Sequence, residues 1–353
     1  MKAILLAGGQ GTRLRPLTLH TPKPVTPIFD RPFLHYQIER ITQVPEIDEV
    51  ILSLNYQPDR IEAVLGDGSD VGVKIRYVVE PEPLGTGGAI KFASRGVTDS
   101  VVVFNGDVLT EIDLPAVIAL HRSRQAKATV VLTPVEDPTA YGLVETDAAG
   151  NVLRFTEKPK TREEITTNNI NAGIYVLEPS TFDRMPDGRA VSIEREYFPS
   201  LTARHETFLA YVYAGYWIDI GTPEKYLQVH KDVMESRFGA GPFPRGSAPR
   251  ALVSDTAVVD PGATVQAPCF IGAGAQVKAG ARIGAYSVVG AGSVIGEGAT
   301  VEGAVLWPGT HVEPAATVGA VLTGHRVRIG SHATVSAGAV LGDDTILTDY
   351  SRT

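Results

Sequence analysis

Nine apolar residues, Val253, Val259, Val265, Ile271, Val277, Ile283, Val289, Ile295 and Val301, recur at a strict spacing of six. Neither a helix nor an alternating strand has that period. Glycine or a small residue commonly follows each one, and Ala, Ser or Cys stands two positions before. Six-residue repeats of this kind predict a parallel β-helix. One residue is skipped before Leu306, Val312 and Val318; the pattern is irregular around Thr323 and resumes at Ile329, Val335, Leu341 and Leu347. About five coils at a strand spacing of roughly 4.8 Å give a prism about 25 Å long. The repeat fills residues 250–353. Residues 239–249, GAGPFPRGSAP, have no periodicity and read as a linker, which leaves residues 1–238 for a separate domain.

That first part alternates strand and helix patterns: helix at 32–42, strand at 48–54, helix at 58–65, strand at 73–79. Such alternation predicts an α/β domain with a mostly parallel sheet, whose ligands sit beyond the carboxyl ends of its strands. The run Ala3 to Ala7 has the character of a buried strand and empties into Gly8, Gly9 and Gly11, with Arg13 and Lys23 following. Glycines there allow the close backbone approach that phosphate oxygens need, and the two cations add charge. The spacing is neither a P-loop nor a dinucleotide fingerprint. The apolar run Val101 to Asn105 ends in Gly106-Asp107, and Asp219 likewise precedes a glycine turn and a helix near Pro223. Asp113 is the better cap for the helix that follows Asp107, so Asp107 is expected to project from its strand end.

The string GGQGTRLRPLT with TPKPVTP resembles the signature of the sugar-1-phosphate nucleotidylyltransferases, and the tail favours the mannose-1-phosphate guanylyltransferase branch. The resemblance implies a Rossmann-like nucleotidyltransferase domain followed by a β-helix of the left-handed type. It places the nucleotide at Leu6, Ala7, Gly8, Gly9, Gly11, Thr12, Arg13 and Lys23. EPEPLGTGGA, residues 80–89, matches the family's base-reading segment, which suggests Glu80, Pro83, Gly85 and Thr86 as lining. A carboxylate at Glu80 suits the paired donors of guanine's Watson–Crick edge, although it could instead hold a neighbouring loop. Tyr141-Gly142, Phe155 to Pro159 and Asn171 to Tyr175 match the three sugar-side motifs in order. By resemblance Lys158 meets the sugar phosphate, while Gly142, Glu157, Asn171 and Gly173 form the sugar side. Asp107 and Asp219 hold Mg²⁺ in the family. Two carboxylates about 4 Å apart repel by roughly 4 kcal/mol at an effective dielectric of 20, so they come together usefully only when a cation or a proton sits between them.

The implied reaction is attack of mannose 1-phosphate on the α-phosphate of GTP, with Arg13, Lys23, Asp107 and Asp219 catalytic. A glucose-1-phosphate uridylyl- or thymidylyltransferase is the nearest alternative, and a non-catalytic regulatory subunit of similar plan is another. A net charge of -8 without a basic run argues against nucleic-acid binding. No apolar stretch reaches the roughly 18 residues that span a membrane, and the first apolar run is too short for a signal-peptide core. The single cysteine, Cys269, leaves no intrachain disulfide or cysteine-rich zinc site, so the cytoplasm is the expected compartment. His311, His325 and His332 read as surface residues rather than an acyltransferase base. The coils are expected to support a homo-oligomer.

Overall fold

Alternation of short apolar runs with amphipathic segments produces these elements in chain order in the computed structural model, which describes residues 1–353. They are β1 (Lys2–Leu6), β2 (Pro27–Ile28), β3 (Arg31–Pro32), α1 (Phe33–Ile41), β4 (Glu49–Leu54), α2 (Pro58–Leu65), β5 (Lys74–Val79), α3 (Gly85–Ala93), β6 (Val101–Asn105), β7 (Val108–Thr110) and α4 (Leu114–Ser123). The chain continues with β8 (Ala128–Pro134), β9 (Gly142–Thr146), β10 (Val152–Glu157), β11 (Asn169–Leu177), α5 (Phe198–Ala203), β12 (Phe208–Val212), β13 (Trp217–Asp219) and α6 (Pro223–Met234). Short two- and three-residue strands follow, from β14 (Ala251–Val253) to β30 (Ile346–Leu347). No helix is long and apolar enough to cross a membrane.

Two compact units result: residues 1–9 with 34–217, and residues 10–33 with 218–353. This division is not the sequential one drawn from composition. The signature segment after Gly9 and helix α6 pack with the coils.

The first unit is built on a nine-stranded sheet ordered β10-β9-β11-β6-β1-β4-β5, with β8 on β11 and β12 on β8. The run β6-β1-β4-β5 is parallel. Beyond β6 the sheet turns antiparallel through β11, β8, β9 and β10, so the parallel character belongs to one half. The parallel strands β1, β4 and β6 are nearly continuous apolar runs because both of their faces are covered. Ile4, Ile51, Val103, Val130, Tyr175 and Phe198 share one buried cluster.

In the second unit the coil strands stack as three parallel sheets of six, six and five strands, the left-handed β-helix that the hexapeptide repeat implies. The repeating Val and Ile fill its axis, with Ile271, Ile283, Ile295, Val301 and Ile329 fully buried. Val253 pairs with Ile271, 18 residues on, whereas Val289 pairs with Leu306 after 17, the skipped residue visible in the sequence. The irregularity at Thr323 is a buried polar cluster: Thr323 Oγ1 accepts from Trp307 N (3.2 Å) and bonds Thr310 Oγ1 (3.0 Å). Trp307 N also donates to Thr323 O (3.3 Å), so the hydroxyls there reinforce the backbone pairing of the shortened coil.

Residues 239–249 are not a free tether. Phe243 is 1% exposed and packs on Phe29 at 5.7 Å between ring centroids. The surrounding glycines and prolines hid that anchor.

Candidate active site

In the first unit the site is arranged at the carboxyl ends of β1, β4 and β6, where parallel strands direct their loops to one edge. The carbonyl of Leu6 accepts from Gly106 N (2.9 Å), and Ala7 N donates to Ser53 O (2.9 Å). A Cβ on Gly106 would collide with Leu6 O. Only glycine lets the β6 end close on the β1 end, which sets Asp107 beside the start of the Gly8-Gly9 turn. Gly9 faces open space.

Gln37, in the apolar stripe of α1, fixes the same turn from beneath. Its Nε2 donates to Asn105 O (2.8 Å) and Val108 O (2.7 Å), the carbonyls on either side of Gly106-Asp107. This leaves Gln37 Oε1 buried without a partner, a cost of about 1–3 kcal/mol. A polar residue at a stripe position, between Phe33 and Ile41, was the signal available in sequence.

Glu80 takes the loop-holding role that its sequence left open. It is 8% exposed, one carboxylate oxygen accepts from Ser53 Oγ (3.1 Å), and the other accepts from Leu84 N (3.0 Å). Each oxygen keeps a further lone pair beyond these bonds. Gly85 is exposed and Thr86 half-buried. The φ of Gly85 is +68°, a Cβ there would stand 2.7 Å from Val191 O, and Thr86 Oγ1 donates to Glu194 Oε2 (2.9 Å). The amides of Gly87 and Gly88 at the start of α3 point to Val191 O (2.8 and 3.3 Å). Pro83 is exposed at the loop tip.

The antiparallel half gathers the sugar-side residues. Asn171 Nδ2 donates to Tyr175 Oη (2.9 Å) while its Oδ1 accepts from Gly173 N (2.9 Å). Glu157 is half-buried, and a Cβ on Gly142 would stand 2.8 Å from its Oε2 and from the Phe155 ring. Burial, then the charge of Glu194, raises the Glu157 carboxyl above the usual range, against the lowering influence of Lys158 and Arg195. Lys158 lies 3.9 Å from Glu157 and is mostly exposed. Trp217 Nε1 donates to Ala172 O (2.9 Å) and its ring meets Tyr141 edge-on at 5.7 Å. Glu194 and Trp217 were not singled out from sequence. The segment carrying Glu194 is a single irregular turn without readable periodicity.

The second unit holds the candidate cations Arg13 and Lys23 and, with them, Asp219. Gly11 O accepts from Leu14 N (2.9 Å) and Thr18 Oγ1 (2.8 Å), shaping a tight turn that presents Thr12 and Arg13. Lys23 is buried at 9% exposure, with its Cβ side packed toward Gly11. Asp219 is 8% exposed; its Oδ1 accepts from Gly221 N (3.1 Å) and its Oδ2 is ion-paired with Lys225. A Cβ on Gly221 would stand 2.6 Å from Asp219 Oδ1 and 2.7 Å from Arg13 Nη2. The carboxylate and the guanidinium therefore both crowd the space that a side chain at this position would take. Lys225 went unnoticed in sequence. A lysine in the first turn of a helix opposes the dipole, and that conflict marks a side chain with a partner.

No three His, Cys, Asp or Glu side chains cluster as a metal cage. Asp107 in the first unit and Asp219 in the second are each single carboxylates, a donor type that suits a hard divalent cation. Of the coil histidines, His311 and His332 are exposed as expected, with His332 stacked on Tyr350 (4.9 Å), whereas His325 is half-buried because it packs against Trp307 (5.0 Å). Burial pushes the Cys269 thiol up to about 11, which makes it inert.

A parallel sheet with a glycine turn at β1, an aspartate at the next strand end and a polar antiparallel annex defines a nucleotidyltransferase. The chain belongs to the nucleotidyl transferase family, whose model matches residues 2–236, and residues 265–351 match the GMPPB C-terminal domain. It is similar to the mannose-1-phosphate guanylyltransferase of Mycobacterium tuberculosis, 45% identical over 274 residues, 76% of this chain and 74% of that protein. A probable mannose-1-phosphate guanylyltransferase 2 of Arabidopsis thaliana is 38% identical over 281 residues, 77% of this chain and 75% of that one. Among solved structures, HddC from Yersinia pseudotuberculosis complexed with GMP-PN has a TM-score of 0.56 at 31% identity, covering 66% of this chain and 99% of that one. Members of this family use a divalent metal.

Proposed function

We propose that this chain converts GTP and mannose 1-phosphate to GDP-mannose and pyrophosphate. The observation that carries the substrate pair is the 45% identity over 274 residues to a mannose-1-phosphate guanylyltransferase. The sugar-side set around Tyr175 supports it, since a carboxylate and an amide offer both acceptors and donors to vicinal hydroxyls.

In this reading an oxygen of the sugar phosphate forms a bond to the α-phosphorus as the bond to the departing pyrophosphate breaks. No protein nucleophile is required, because the attacking phosphate is already ionised. Arg13 faces the β- and γ-phosphates and the charge that develops on the leaving group, and Lys23 reaches toward the α-phosphate. Gly8, Gly9, Gly11 and Thr12 supply the backbone cradle. Asp107 and Asp219 would hold Mg²⁺, whose chemistry is to neutralise polyphosphate charge. In Asp219 the ion pair with Lys225 keeps the carboxylate oriented. Glu157, Asn171 and Gly173 bind the sugar, with Lys158 at its phosphate. Glu80, whose oxygens keep lone pairs beyond their bonds to Ser53 and Leu84, would read the guanine edge. A cytoplasmic setting and self-association through the coils complete the proposal; Ile346 and Tyr350 on the last coil are 69% and 71% exposed.

The test is a panel of GTP, UTP and dTTP against mannose and glucose 1-phosphates, assayed for pyrophosphate release with Mg²⁺. The expected result is turnover with GTP and mannose 1-phosphate well above every other pair. Preference for dTTP or UTP with glucose 1-phosphate would replace the substrate assignment, and silence with every pair would revive a non-catalytic role.

A further inference from the structure

The second unit poses a question that the reaction does not answer: what the coils do for the signature segment. Their three outward faces differ. Two carry residues such as Gln276, Arg282, Thr300, His311 and Arg328, mostly polar, whereas the third carries Phe270, Val288, Val305, Leu322 and Val340. That third face is covered, with Val288, Val305 and Leu322 at most 2% exposed.

The cover is the signature segment and α6. At the corner after each of the last five strands of this face, β17 (Cys269–Ile271) to β29 (Val340–Leu341), stand Gly272, Gly290, Trp307, Gly324 and Gly342. A Cβ on Gly272 would overlap Asp30 Oδ2, and one on Gly342 would come within 3.0 Å of Pro16 Cβ. Asp30 Oδ1 accepts from Ala291 N (3.1 Å), and Thr21 Oγ1 donates to Asp343 Oδ2 (3.3 Å). The β2–β3 hairpin turns at Phe29, whose φ is +55°, an unfavourable conformation for a bulky residue. It is held there by His230 Nε2, which accepts from Phe29 N (3.2 Å), and by the Phe270 ring at 5.2 Å.

Trp307 alone breaks the glycine column. Its indole, 1% exposed, donates from Nε1 to Tyr226 Oη (3.1 Å), and that hydroxyl donates to Pro27 O. Pro27 lies four residues after Lys23, and Tyr226 is in the first half of the helix that begins after Asp219. One hydrogen-bonded chain thus ties a coil corner to both catalytic segments.

We propose that Trp307 is a positioning residue for the phosphate side of the site, fixing through Tyr226 the backbone that carries Lys23 and Asp219. The inference rests on the reading in which those two residues serve the triphosphate. It makes the coils part of the catalytic apparatus rather than an appendage.

The experiment compares Trp307→Phe, Tyr226→Phe and the double variant by steady-state kinetics and by amide hydrogen exchange of the ligand-free full chain. Trp307→Phe keeps the ring and loses the donor. Expected is a fall in kcat of about tenfold, within what misplacement near the reacting atoms brings, with KM for the sugar phosphate unchanged. Tyr226→Phe should give the same loss, the double variant no more, and exchange should quicken in residues 10–33 in each. A kcat within twofold of wild type, or losses that multiply in the double variant, would overturn the proposal. Should wild type release no pyrophosphate from any pair, the proposed function fails by itself. Exchange in residues 10–33 then decides this inference, and its being unchanged in Trp307→Phe and Tyr226→Phe would overturn it.

Discussion

The residues proposed for the sugar and those proposed for the phosphates are held by different means, each set within its own unit. Gly142, Glu157 and Asn171 sit on paired strands of one sheet, with Asn171 also bonded to Tyr175, while Gly173, at the irregularity between Asn171 and Tyr175, is held by Asn171 Oδ1. Arg13 and Lys23 sit on a segment of short 3₁₀ turns with no sheet of its own, braced by α6 and by a β-helix. A sheet positions side chains by register alone. A loop rich in proline and glycine needs an outside support to reach the same rigidity, and here a repeat of more than a hundred residues provides it.

The largest effect that could break this comparison is loss of charge on the phosphate side. Lys23→Ala and Asp107→Asn should each lower kcat by about a thousandfold, the scale of removing a preorganised electrostatic partner. Unfolding curves close to wild type would show that the fold survives. Near-wild-type turnover in either folded variant would remove that residue from the phosphate side.

A smaller effect tests the brace by acid. His230 is buried and neutral; its Nδ1 donates to Tyr226 O (2.9 Å), so Nε2 is the acceptor for Phe29. Burial lowers its pKa from 6.5 to about 4. The unfolded chain therefore takes up the proton first. The stability is fully present above pH 6.5 and is lost as pH falls toward 4, by about 3 kcal/mol in all. Urea midpoints of wild type should fall over that window, and His230→Gln should flatten the dependence. An equal acid dependence in the variant would remove His230 from the brace.

The finest test sharpens the sugar side. Glu157 is raised by burial and by Glu194, so the acid limb of the pH profile for sugar-phosphate KM should lie above the ordinary glutamate range. Glu194→Gln removes one of the two causes and should move that limb downward. A limb that does not move would mean that Glu157 is not the ionised acceptor of the sugar.

Much of this was readable in the chain before any coordinates. The α2 span, the Val101–Asn105 strand, the Asp113 cap and the six-residue repeat are where local pattern and turn chemistry place them. These features are set by near neighbours. What stayed hidden depends on distant partners. Glu80 matches a base-reading motif with a loop role left open, and Ser53 and Leu84 name the partners through which it holds that loop. Phe243 lies in a stretch whose composition says tether, and only Phe29 shows that it is an anchor. The antiparallel half of the sheet was missed because pairing direction leaves almost no trace in strands that are buried on both faces. The apolar outer column Phe270, Val288, Val305, Leu322 was visible in sequence but masked by the stronger inner repeat.

The corner column from Gly272 to Gly342 has a consequence for how such a chain can change length. Four coil steps, roughly 19 Å at the usual strand spacing, separate the glycine that meets Asp30 from the one that meets Pro16. Those coils act as a ruler laid against the signature segment, with Trp307 as its centre mark. A coil inserted or deleted between the two glycines would carry one end of the segment off its seat, whereas coils gained beyond Leu347 would not, so the repeat is free to grow only outward from its far end.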